Sequence, residues 1–405
     1  MQIHFGYTLI LKVFADLGNL FGDVQIGINL YAIFQIIVMD LVISYYIYWL
    51  YKKGYSIFTL VLTICFFGFF KLIPHYAISL WKDTAFSVML FLYTIFVADI
   101  ILSNGKKMNR WSFLIIFNII CIFVAFLRLN GKYVVILTNI ILILLYRKNI
   151  LKKSKIITLL TLVIIYIIQG SIFNYLKLNP NGGGILSTPM QQILYVRVTD
   201  GKITEEQKEL LDYIMPLDEM KKTFSPFLLD NTVNNPFYNK EHVREKTSDL
   251  WKLWIELAIQ NPKKYVEEFL LNTMGFWDVN KILSDQYVSD IMWPEPVFGL
   301  QYKQYNLVKG PIGVVLKNIV GINRLYSGGI FFGIMLLSIL FTLHQRKYNR
   351  LLIYLPSVLL WLSVMVGTPI AFALRYVYIL VLMVPFDFII PFLKDNENAI
   401  TNNKK

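Results

Sequence analysis

Over 405 residues the chain is 56% hydrophobic and only 16% charged, with a mean hydropathy of +0.54. That excludes an ordinary soluble fold, in which about 45–50% of residues are apolar and about 25% charged. The net charge of +13 comes from 39 Lys and Arg against 26 Asp and Glu. These cations sit in short loops between apolar runs, so they report membrane topology and not nucleic-acid binding.

In chain order, residues 1–24 read as an interfacial helix on the outer face. Leu9, Val13, Leu17 and Leu20 share one stripe, with Lys12, Asp16 and Asp23 off it. Apolar runs of membrane-spanning length follow at 25–49, 55–76, 84–103, 111–127, 132–146, 155–175, 326–344, 350–367 and 371–392. They predict an all-α polytopic integral membrane protein of nine transmembrane helices, six within 25–176 and three within 326–392. Arg128 to Gly131 is read as the outer turn that parts the fourth span from the fifth, since one 36-residue helix would overshoot a bilayer.

The loops YKKG, NGKKMNR, YRKNILKKSK and HQRKYNR and the tail at 393–405 carry the dense positive charge, and nine spans put all of them on one side. The positive-inside rule makes that side cytoplasmic. The N-terminus, an extracytoplasmic domain at 177–325 and the isolated cations Lys82, Arg128, Lys132 and Arg375 then face outward. The domain opens on the turn-rich NPNGGG and is read as mostly helical. An amphipathic helix is expected at ITEEQKELLDYI and another after Thr247 or Ser248, with Pro262 starting a third. Strand-like alternation is confined to ILYVRV, and 311–324 reads as an interfacial helix.

No nucleotide-binding loop, CxxC or HExxH occurs, so common nucleotide and zinc chemistries lack their signatures. Chemistry is instead sought among polar residues on the outer face. In SLWKDTAFS, Asp83 or Thr84 is either a helix N-cap, or Asp83 is a metal ligand or base beside Lys82 as a phosphate-binding cation; Pro74 and His75 lie just before. In AFLRLNGKYVV, Arg128 is either a snorkelling residue at a plain turn or a cation kept for an anion, with Lys132 close by. In GTPIAFALRYVYIL, Arg375, next to Tyr376, is either in a structural ion pair with Asp83 or with an acid of the 177–325 domain, or forms with Tyr376 a phosphate clamp. Asp40 lies deep in the first span and marks a conceivable proton or ion path, whereas Asp99 lies near the cytoplasmic end. The four histidines, His4, His75, His242 and His344, are too scattered for a metal site. Trp251, Trp254 and Tyr265 at helical spacing read as packing, with sugar stacking as the alternative.

The strings SLWKDT, FLRLNGKYV, NPKKYVEEFLLNTMGFW and TPIAFALRYVY resemble those of the C-type (GT-C) membrane glycosyltransferases, over most of the chain. The resemblance implies a glycosyltransferase of the bacterial plasma membrane. It would move a sugar from a polyprenyl-phosphate-linked donor to a cell-envelope acceptor, often with a divalent metal such as Mg or Mn. It also implies that Lys82 and Asp83 lie beside the donor phosphate and that Arg128 and Arg375 neutralise it. One more membrane helix and an acidic loop would precede such a chain, and His4 and Thr8 in IHFGYTL would match the end of that loop, with Phe5 in place of Pro. A polysaccharide polymerase or ligase, and a flippase for lipid-linked intermediates, are the alternatives.

Overall fold

A computed structural model describes residues 5–175, 186–279, 327–367 and 370–393. His4, the 179–184 turn, the helix expected at 311–324 and the tail beyond 393 lie outside the described residues.

The described residues are helical, with a single isolated bridge between Leu228 and Ile370. On the N-terminal side run α1 (Phe5–Leu20), α2 (Val24–Lys52), α3 (Ile57–Phe69), α4 (Leu72–Ala77), α5 (Lys82–Leu102), α6 (Trp111–Leu127), α7 (Leu129–Leu145) and α8 (Lys152–Tyr175). A helical domain follows: α9 (Ser187–Val198), α10 (Glu205–Ile214), α11 (Leu217–Thr223), α12 (Asp230–Val233), α13 (Lys240–Glu245), α14 (Thr247–Gln260) and α15 (Pro262–Thr273). Then come α16 (Gly328–His344), α17 (Leu355–Val366) behind a 3₁₀ turn at Tyr348–Tyr354, and α18 (Tyr378–Ile389) behind another at Leu374–Val377.

Every apolar run read from the sequence is occupied by an apolar helix. Five helical stretches are long and apolar enough to cross a membrane: Val24–Lys52, Lys82–Leu102, Lys152–Ser171, Tyr348–Val366 and Leu374–Phe392. The apolar helices Ile57–Phe69, Trp111–Leu127, Leu129–Leu145 and Gly328–His344 are shorter. Two of the five, α5 and the stretch ending the chain's last apolar run, are largely buried, and they form the centre of the bundle. Their shared core holds Tyr46, Phe91 and Phe386, with ring centroids 5.1 Å apart for the first pair and 5.3 Å for Tyr46 and Phe386. Inside a bilayer such ring packing and interhelical hydrogen bonds, not water exclusion, hold helices together. Asn139 of α7 supplies one such bond, donating to the Tyr93 hydroxyl at 3.1 Å.

Three local expectations are corrected. The run 55–76 is broken, because Phe70 takes an extended ψ of 109° and separates α3 from α4. The 128–131 turn is Arg128 alone, extended at φ −147° and ψ 141°, with Asn130 and Gly131 already in the first turn of α7. Gly131 is there for space: a Cβ would lie 2.1 Å from the Val124 carbonyl oxygen of α6 and 2.8 Å from the Phe86 ring. The segment ILYVRV is helical within α9, and its alternation is overridden because Pro189 to Leu194 is buried continuously between α14 and α15. In α1 the leucine stripe points outward, with Leu9 and Leu20 exposed, while Tyr7 is buried and Gly18 meets Gly27 of α2.

The domain has its own core, including Leu194, Leu211, Met220, Leu250 and Leu257. Thr204 and Gln207 form a capping box that starts α10 where the sequence predicts it, and Pro262 opens α15 as expected. Trp251, Trp254 and Tyr265 pack edge-on and tilted, the Tyr265 hydroxyl donating to the Trp254 carbonyl at 2.7 Å. The domain docks on one end of the bundle. The Ala371 amide donates to the Phe227 carbonyl at 2.9 Å and the Trp361 indole to the Phe276 carbonyl at 3.1 Å. Gly275 comes so close to 371–372 that a Cβ would sit 2.2 Å from the Ala371 oxygen.

Candidate functional site

Three separate apolar runs deliver their polar residues to the bundle end on which the domain sits. Lys82 and Asp83 open α5, Arg128 is the break between α6 and α7, and Arg375 and Tyr376 lie in the 3₁₀ turn leading into α18. Asp83 is 1% exposed. Its carboxylate lies 3.2 Å from the Arg128 guanidinium and 3.9 Å from that of Arg375. It is no N-cap; Trp81 holds that position and makes no side-chain cap bond.

Each guanidinium is held by more than charge. Arg128 donates to the Tyr376 carbonyl at 3.0 Å and lies 5.6 Å from the Phe86 ring centre and 5.2 Å from that of Tyr376. Arg375 stacks on Trp81 at 3.4 Å and also faces Tyr376 at 5.1 Å. Such cation–π contacts are worth about 0.5–2 kcal/mol and favour Arg over Lys. The half-buried Lys82 is within electrostatic range of Asp83, Arg128 and Arg375. Among the described residues three cations and one carboxylate therefore share the site, an excess of positive charge suited to an anion.

The segment before α5 is fixed from a distance. Gln35 of α2 is buried, and its amide donates to the carbonyls of Tyr76 at 3.3 Å and of Ala77 and Ser79 at 2.8 Å each. Its own oxygen accepts from the Tyr31 hydroxyl at 2.7 Å. These carbonyls end α4 and lead to Trp81, so Gln35 sets where the Arg375 stacking surface lies.

Other sequence candidates fall elsewhere. Lys132 places its ammonium 4.9 Å from the Tyr133 ring centre and 6.0 Å from that of Tyr166 on α8. His75 is half-buried on α4, edge-on to Tyr76 at 5.8 Å, just upstream of the Gln35-held turn. Asp40 is exposed on α2. Asp99 is paired with Lys53 at 3.4 Å and with Lys107, at the other end of α5 from Asp83. Hard cations need several oxygen ligands, yet Asp83 faces two guanidiniums, and among the described residues no group of three or more His, Cys, Asp or Glu gathers anywhere.

Two buried acids lack any clear signal in the sequence. Asp387 of α18 is fully buried beside a cluster in which Ser338 bonds both its backbone carbonyl and the Tyr354 hydroxyl. Glu268 of α15 is also fully buried, and burial pushes its carboxyl up to about 8 against a smaller opposing pull from Gln192.

The fold defines an all-α membrane protein with a helical domain seated over one end of its bundle. The chain belongs to DUF6020, a family of unknown function, whose family model matches residues 2–405. No curated protein and no solved structure matches it.

Proposed function

We propose that this protein is a multi-pass enzyme of the bacterial plasma membrane with nine spans. It transfers a sugar from a polyprenyl-phosphate-linked donor to a cell-envelope acceptor on the outer face. The observation that carries this proposal is the convergence of Lys82, Arg128 and Arg375 on the carboxylate of Asp83, at the bundle end that the domain covers. The basic loops at 51–54, 104–110 and 146–155 lie at the other end of the same helices, which supports an outward orientation for the site.

In this mechanism the phosphate of the donor binds between the guanidiniums. The acceptor's hydroxyl oxygen bonds to the anomeric carbon as the bond from that carbon to the phosphate oxygen breaks; the departing phosphate gains charge, which the fixed cations stabilise, and takes up the proton the acceptor loses. Asp83 is enclosed by two guanidiniums, 3.2 Å from that of Arg128 and 3.9 Å from that of Arg375. We assign it to holding Arg128 and Arg375 in register.

The test is transfer by the purified full chain from a polyprenyl-phosphate hexose, with product release followed by mass spectrometry. Arg375→Ala and Arg128→Ala should each lower turnover at least about 100-fold, the scale of one lost oxyanion donor. Unchanged turnover in both would remove the site assignment.

A further inference from the structure

At the end of α5 away from Asp83, the C-terminal turns of α5 and α16 meet across a cavity of about 390 Å³. Arg346, Lys347, Arg350, Asn104 and Asn349 line it, and among the described residues that do so none is acidic. Lys347 and Arg350 both donate to the Pro391 carbonyl, at 2.8 and 2.9 Å, which anchors their charge against the wall. Arg350 is only 6% exposed.

The backbone supplies a second, independent observation. Three described non-glycine residues adopt a left-handed conformation, and two of them line this cavity: Asn104 at φ 49° and Arg346 at φ 58°. Each closes a helix C-terminus. The Arg346 amide donates to Leu343 at 2.8 Å and Lys347 to Thr342 at 3.2 Å, while Asn104 donates to Ile101 at 3.0 Å and Gly105 to Ile100 at 2.7 Å. Glycine is the usual residue for this turn, and asparagine is tolerated. An arginine there is strained, and strained backbone concentrates where a side chain must be presented. Offsetting the helix dipoles and obeying the positive-inside rule would explain basic residues at this end. Neither explains arginine in glycine's place, nor a polar cavity of small-ligand size behind it.

We propose that this cavity binds a phosphate-bearing anion. Arginine and lysine supply the charge, and the amides of Asn104 and Asn349 supply neutral donors to the remaining oxygens. The same chemistry serves an anionic lipid headgroup at the membrane surface or a soluble phosphate compound. The site is separate from Asp83 and does not depend on the function proposed above.

The experiment uses the purified full chain in detergent. Native mass spectrometry compares retention of phosphatidylglycerol with that of phosphatidylcholine, and calorimetry titrates sodium pyrophosphate without anionic lipid. Preference for phosphatidylglycerol by about tenfold identifies a lipid headgroup, whereas pyrophosphate binding identifies a soluble ligand. Arg346→Gly and Asn349→Asp should each weaken whichever binding is seen by about tenfold. Arg346→Gly should do so while leaving Tm unchanged or raised, because it relieves the backbone, and a merely structural arginine would not link those two results. If wild type binds neither probe, or if binding survives both substitutions, the assignment is overturned. A pyrophosphate signal lost only in Arg375→Ala belongs to the opposite end and also overturns it.

Discussion

Arg128 and Asp83 are close without a hydrogen bond between them: the guanidinium directs its bond to the Tyr376 carbonyl, and Asp83 acts through its charge. Removing that charge takes the Asp83 carboxylate away from the buried Arg128 and the half-buried Arg375. Breaking a buried pair from one side typically costs about 3–5 kcal/mol. Asp83→Ala should therefore lower Tm in detergent, and Asp83→Asn, which keeps shape but not charge, should lower it nearly as much. A wild-type Tm in both would mean the carboxylate does not hold the arginines. Glu268 makes the opposite prediction. Its carboxyl titrates near 4.5 ordinarily and near 8 when folded, so between those values the folded state binds more protons than the unfolded one. Stability then falls as pH rises from about 4.5 to about 8 and levels off beyond, a span on the order of 4 kcal/mol. Glu268→Gln should unfold at a higher temperature than wild type at pH 8 and at nearly the same temperature at pH 5. Local sequence could not single out this acid, because its burial comes from α9, some seventy residues earlier in the chain.

Between elements, the site depends on two contacts that carry no charge. At Gly131 the α7 backbone lies against Val124 of α6. Gly131→Ala must part the two helices by several tenths of an ångström or more, and overpacking of this kind costs about 1–3 kcal/mol. Because Arg128 is the hinge between the same helices, turnover should fall together with Tm. A variant that loses stability but keeps full turnover would show that the hinge does not set Arg128. Gln35→Leu leaves the carbonyls of Tyr76, Ala77 and Ser79 without their shared donor, at about 1–3 kcal/mol. It should raise KM for the lipid-linked donor more than it lowers Tm, since Trp81 loses its fixed place under Arg375. The sequence made Asp83, Arg128 and Arg375 visible because each interrupts an apolar run. Gln35 was not legible in that way. One amide in a span looks like a pathway residue until the turn it holds, more than forty residues later, is seen beside it.

At the scale of the whole molecule, hydropathy located the apolar helices among the described residues, since each must satisfy its backbone internally whatever its neighbours are. It could not show that 55–76 breaks at Phe70 or that ILYVRV is helical, because neighbours decide both. Nor could it distinguish Asp387, whose VPFDFII setting resembles any interfacial end of a span until α16 closes over it. Orientation is the remaining inference that joins sequence to site, and it is directly measurable. With Cys65 and Cys121 replaced by Ser, a single cysteine at Lys263 in the domain or at Lys148 in the basic loop gives one exposed reporter for each end. A membrane-impermeant maleimide applied to intact bacterial cells should label Lys263→Cys and spare Lys148→Cys until the membrane is opened. The reverse pattern would leave the helices and the Asp83 cluster as they are but turn the cluster toward the cytoplasm. There an acceptor of the cell envelope is not presented, and the proposed transfer would fail with its geometry intact. The two reporters therefore test the function through the one property that contacts within the protein cannot supply, the side of the membrane on which the charges meet.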